Sequence, residues 1–172
     1  MIEQRNSLVA SSIIRMQLDT VLRLYAMFWV ADPEKFAEKV FKGTDINKLK
    51  TADGELLTDG YLKKRLGAKN DWIRPVYSET SGYIHFSNRH IKAAFKPSEA
   101  ETARSVDLVI GPEDMGRPLA YYGEMLRAFR HLTMMIPVAA EDWFERLKGS
   151  KFNTATLSNS PGIRNSKGKP PK

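Results

Sequence analysis

At 172 residues the chain has the length of one domain and can bury a proper core. Its 42% apolar and 27% charged residues exclude a wholly disordered chain, and no apolar run approaches the roughly 18 residues of a membrane span. Without cysteine there is no disulfide framework and no thiolate site, and Met1–Ser7 lacks the basic start and apolar block of a secretory signal. A cytoplasmic protein with no membrane partner is expected.

The formal net charge is +7, and its placement decides what it means. Residues 150–172 hold five basic residues, Lys151, Arg164, Lys167, Lys169 and Lys172, and no acid; taking five from seven leaves residues 1–149 at +2. The sequence thus divides into a helical domain over 1–149 and a basic tail over 150–172, rich in Ser, Asn, Gly and Pro and expected to be disordered. Such a tail attracts polyanions weakly and in a salt-sensitive way, so Lys151, Arg164, Lys167 and Lys169 are the candidate nucleic-acid contacts. A simple solvated end is the plainer reading of the same residues.

From Asn6 to Val30, apolar residues recur at the spacing of a helix buried over most of its circumference, with Asn6 or Ser7 as cap. Asp32-Pro33 opens a second helix whose apolar face is Phe36, Val40 and Phe41, closed by Gly43. A linker over 44–59 turns at Ala52–Gly54 and is pinned by Ile46 and Leu49. Thr58-Asp59 starts a third helix that stops at Gly67. Asp71 caps a fourth from Trp72 onward, with Pro75 in its first turn and Gly82 weakening its continuation to His85.

Beyond His90 the period changes. Val106, Leu108 and Ile110 alternate with Ser105, Asp107 and Val109 as a short strand ending at Gly111-Pro112, and the extended piece at Ala93–Lys96 is its expected partner. The last helix runs from about Arg117 to Lys148, and Pro137 is expected to kink or split it. Its run Leu132–Val138 is apolar all round and reads as inner core or a dimer seam. The fold class is mostly α: four to five helices with a minor two-stranded β-ribbon around residues 93–110.

Two polar ladders stand out. Arg15, Asp19 and Arg23 recur every four residues inside an apolar helix, and Tyr77, Ser81 and His85 do the same on the fourth. A surface ion pair Arg15–Asp19 is the plain reading of the first. The alternative is one buried polar network of Arg15, Asp19, Tyr77, Ser81 and His85, which would fix helix register or supply a His, a carboxylate and an anion-holding Arg for acid–base chemistry. His90 suits a helix end and His131 the outer face of the last helix. No metal motif, nucleophile elbow, phosphate loop or dinucleotide fingerprint occurs, so neither a metal nor a cofactor is expected.

The opening LVASSIIRMQLDTVLRLYA and the segment VYSETSGYIHFSNRHI, followed by a short strand and a long last helix, resemble a group of bacterial proteins similar to the HEPN-like helical superfamily. The resemblance spans most of residues 6–148. It implies a HEPN-like bundle, a homodimer and a place in a bacterial stress or phage-defence system. In that superfamily's ribonucleases an Arg and a His with about four to six residues between them sit at the dimer interface, whereas here Arg74 to His85 is too long, Arg89-His90 too short, and no Arg precedes His131 at that distance. Activity by resemblance would therefore be metal-independent RNA cleavage with His85 as general acid/base, Arg15 or Arg74 on the phosphate, and Asp19, Tyr77 and Ser81 orienting. The alternative function is a non-catalytic interaction or sensing module whose polar network is structural.

Overall fold

The computed structural model describes residues 2–82, 91, 95–97, 106–108, 114 and 117–147. Among them the chain is mostly helical, with α1 Ser7–Tyr25, α2 Pro33–Phe41, α3 Asp59–Gly67, α4 Ile73–Ser81 and α5 Leu119–Leu147. Phe95–Pro97 (β1) lies antiparallel to Val106–Leu108 (β2), with Phe95 opposite Leu108 and Pro97 opposite Val106.

Helix starts follow the capping residues. Asn6 accepts the Val9 N–H at 3.0 Å, Asp32 the Lys35 N–H at 3.0 Å and Thr58 the Tyr61 N–H at 3.3 Å, each satisfying a donor that has no partner inside its helix. The expected first helix to Val30 stops sooner. Ala26–Phe28 tighten into a 3-10 turn after Tyr25, because Asp32 must turn extended (φ −135°, ψ 97°) to cap α2 ahead of Pro33. Gly43, at φ +87°, ends α2 in the left-handed region. The anticipated apolar face of α2 is only partly covered: Phe36 and Val40 are half-buried, but Phe41 is 91% exposed.

The connection to α3 is more ordered than a linker. It carries a 3-10 turn at Ile46–Lys48 and a tight reversal in which Lys50 pairs with Leu56, Thr51 N–H donates to Glu55 O at 2.8 Å and Gly54 sits at φ +87°. Ile46 and Leu49 pack on the core, and Leu57 goes deeper than either, at 1% exposure. Asp71 does not cap α4. Trp72 is already helical at φ −66°, ψ −19°, and makes no side-chain cap, while Ile73 N–H bonds Asn70 O at 3.0 Å. Pro75 does fall in the first turn.

The last helix does not split: α5 runs 29 residues through Pro137. A proline denies the Thr133 carbonyl its usual donor, but Thr133 and Pro137 are both exposed, so the loss falls on the water side. Nor is Leu132–Val138 core all round. Leu132 is fully buried and Met135 is 7% exposed, whereas Met134 is 55% exposed.

Helix α1 is the spine. Its Leu18, Val21, Leu22 and Tyr25 meet Leu62 and Leu66 of α3, Ile73 of α4, and Tyr122, Leu132 and Ala139 of α5 in one core. Helices α1 and α5 run parallel. At their starts the Tyr122 hydroxyl shares its proton between Arg5 O (3.0 Å) and Asp114 Oδ2 (2.8 Å), and the same carboxylate accepts Ser7 N–H at 2.8 Å. Midway Gln17 Nε2 donates to Thr133 Oγ1 at 3.3 Å, and further on Tyr25 OH reaches Met135 O at 3.5 Å. Tyr25, Phe28 and Trp143 then close the far end as a chain of rings, Tyr25 tilted on Phe28 with centroids 5.6 Å apart and Phe28 edge-on to Trp143 at 6.1 Å.

Candidate functional site

The α1 ladder folds as its spacing requires. Arg15 pairs with Asp19, Arg23 lies 3.9 Å from the same carboxylate, and Arg23 reaches across to Asp59 at the start of α3 at 3.6 Å. Helix α4 presents Tyr77 to this ladder: the Arg15 guanidinium carbon stands 4.1 Å from the centre of its ring. Lys63 Nζ of α3 lies 4.4 Å from the same ring centre. Arg15, Asp19 and Tyr77 are thus brought together, with Lys63 and Asp59 added from α3. Asp59 and Lys63 are themselves four residues apart, so the spacing that singled out the other two ladders was present on the third helix as well.

Burial sets the energetics of this centre. Arg15 is only 7% exposed. A buried guanidinium is tolerated when its charge is answered at close range, here by a carboxylate on the same helix and the face of an aromatic ring on another. The outer members differ, since the Arg23 and Asp59 side chains are each 43% exposed. Their pairing at 3.6 Å contributes little by comparison.

Ser81 does not join the cluster through its hydroxyl, which donates to Tyr77 O of its own helix at 2.6 Å. The inward hydroxyl of α4 is Thr80, 5% exposed and bonded to Val76 O at 2.7 Å. His85 lies outside the described residues, as do Arg89, His90 and the tail residues Lys151, Arg164, Lys167 and Lys169. His131 is not on the outer face. Its ring packs 5.8 Å from that of Trp72, and its Nδ1 is 2.8 Å from Arg127 O.

Several recesses open between the elements, among them three of different character. A polar one of about 440 Å³ opens where the α1 ladder meets α3, lined by Arg23, Asp45, Asn47, Thr58 and Asp59. A mostly apolar one of about 400 Å³ lies between α1, α4 and α5, lined by Ile14, Trp72, Val76, Met125, Ala128 and His131. A third, of about 350 Å³, lies between α2 and the connection that follows it. Among the described residues no group of three or more His, Asp or Glu side chains is placed to hold a metal ion.

The perturbed titrations lie away from the ladder. Burial, reinforced by the Asp142 charge, pushes the Tyr25 hydroxyl up to about 12. Burial, then the hydrogen bond to Asp114, does the same for Tyr122, also to about 12. Burial, with Glu141 beside it, raises Asp142 above the usual carboxylate range, and its buried Oδ2 has no hydrogen-bond partner among the described residues. These groups sit at the two ends of the α1–α5 pair.

What fold and site define is a mostly helical protein whose central helix carries a buried cation laid on an aromatic ring of a neighbouring helix. No family model, curated protein or solved structure matches the chain. Among the described residues no helix is long and apolar enough to cross a membrane.

Proposed function

We propose that the protein is a non-catalytic interaction module of HEPN-like helical architecture, with its short strand pair as an accessory, acting in the bacterial cytoplasm as a homodimer. The observation that carries this reading is the state of Arg15: buried, paired with Asp19 and stacked on Tyr77. A guanidinium so committed fixes the register of α1 against α4 and has little left with which to hold a phosphate. Support for the dimer comes from α5, where Leu119, Leu126 and Phe144 are 76%, 56% and 60% exposed. Leu119 and Leu126 are seven residues apart, as are Pro137 and Phe144, which keeps all four on one side of the helix.

The convergence of Arg15 with Tyr77 favours one competing reading, metal-independent RNA cleavage by His85 with Arg15, Asp19, Tyr77 and Ser81 in support. Purified protein and a His85→Ala variant, each incubated with total RNA in EDTA, separate the two. The interaction module leaves RNA intact in both; cleavage by the parent that is lost in the variant overturns it. Light scattering on Leu126→Lys/Phe144→Lys reads the assembly. A dimeric parent and a monomeric, folded variant are expected, and a monomeric parent refutes the dimer.

A further inference from the structure

The recess between α2 and the following connection is distinguished by the lysines in its lining. Lys35 and Lys39, one turn apart on α2, and Lys48 and Lys50, from the connection, all line it. The fold thereby gathers four exposed ammonium groups from two separate stretches of sequence around a volume of about 350 Å³. One carboxylate, Asp32, shares the lining and lies 3.0 Å from Lys35 Nζ. Lys48 is held 2.7 Å from Asp45, whose hydrogen bond raises the lysine above its ordinary range and keeps it charged. Of the other acids on α2, Glu38 pairs with Lys42 and neither it nor Glu34 lines the recess. Val30, Phe36 and Leu49 supply an apolar floor. With residues 1–149 at a formal +2, this is a local concentration of positive charge and not a reflection of the average.

We propose that this recess binds clustered phosphate groups, with Lys39 and Lys50 as the contacts not already engaged by Asp32 or Asp45 and Lys35 and Lys48 adding to the field. The inference is separate from the tail residues named above and from the Arg15 centre. Phosphates of this kind come either from a free polyphosphate or from a nucleic-acid strand. Convergent ammonium groups suit both, since a lysine recognises phosphate as a point charge without fixed geometry.

The test uses the full chain, so that the tail contributes equally to every sample. Inorganic tripolyphosphate is titrated calorimetrically, and a labelled single-stranded RNA by fluorescence anisotropy, against the parent, Lys39→Glu/Lys50→Glu, and Lys64→Glu as a control on an exposed lysine of α3. The parent should bind at least one probe, and the double variant should bind it at least tenfold more weakly, with circular dichroism and melting unchanged. For RNA, losing two contacts should flatten the slope of log affinity against log salt by about 1.4, two phosphates at about 0.7 each. Loss with tripolyphosphate alone names a free phosphate ligand; loss with RNA names a strand. No binding by the parent, equal binding by the double variant, or an equal loss in Lys64→Glu overturns the proposal.

Discussion

Replacing Asp19 by alanine strips the Arg15 guanidinium of its carboxylate while the fold still holds that cation at 7% exposure. Removing one partner of a buried pair costs about 3–5 kcal/mol, because the remaining charge is left uncompensated in a poorly solvated place. Two features place this case near the low end. The Asp19 side chain is itself 21% exposed, so water reaches part of the gap, and Tyr77 still offers its ring at 4.1 Å, worth about 1 kcal/mol. A loss of about 3 kcal/mol lowers the melting temperature by about 6–12 °C at this chain length. Removing both charges is the informative control: Arg15→Met/Asp19→Leu leaves no orphaned ion, and methionine packs favourably against the Tyr77 ring. Thermal and urea melts of the parent, Asp19→Ala, Asp19→Leu, Arg15→Met and the double variant complete the cycle. The double variant should be more stable than Asp19→Ala. A loss below about 1 kcal/mol for Asp19→Ala, the range of a surface ion pair, refutes the argument.

Asp142 carries a raised pKa from burial, so its ionised form opposes folding; that penalty is absent at acidic pH and grows as pH rises through and above the ordinary aspartate range. Asp142→Asn should therefore melt higher than the parent at pH 7, with the gap closing below pH about 4, as differential scanning calorimetry will read. Tyr25 and Tyr122 are raised from 10.0 to about 12, so the stability they supply is complete below pH 10 and is lost between 10 and 12. Alkaline unfolding in that window, followed by circular dichroism, should be gentler in Tyr122→Phe. That variant should also cost about 1–2 kcal/mol at pH 7 through the released Asp114 bond. Gly54→Ala forces a side chain onto φ +87° and should destabilise by about 1 kcal/mol, whereas Gly60→Ala, in the first turn of α3 with open space around it, should gain about 0.5 kcal/mol in urea melts.

Local chemistry announced the helix starts: Asn6, Asp32 and Thr58 cap where short polar side chains precede apolar runs. Asp71 failed on the same rule because Trp72 is already helical, a matter of the preceding turn that residue type does not encode. The Arg15–Tyr77 encounter was readable as two ladders of matching period. That α3 contributes Lys63 and Asp59 was not singled out, because a helix opening with acid and continuing with lysine is also what a solvated surface looks like. The lysine recess was hidden further, since Lys35 and Lys50 become neighbours only through the 3-10 turn and reversal between them. Pro137 misled in the other direction: one absent donor on a wet face does not divide a helix held by Leu132, Met135 and Ala139.

The parallel alignment of α1 and α5 governs how the protein must be made. Gln17 meets Thr133 across 116 positions of chain, so the flank of α1 that packs on α5 stays uncovered until synthesis has passed through α5. Closure over such a separation is slow, and an incomplete chain meanwhile displays a sticky apolar rod. Nascent copies shortened before about residue 139 should therefore engage holdase chaperones, and the emergence of α5 is the event that releases them.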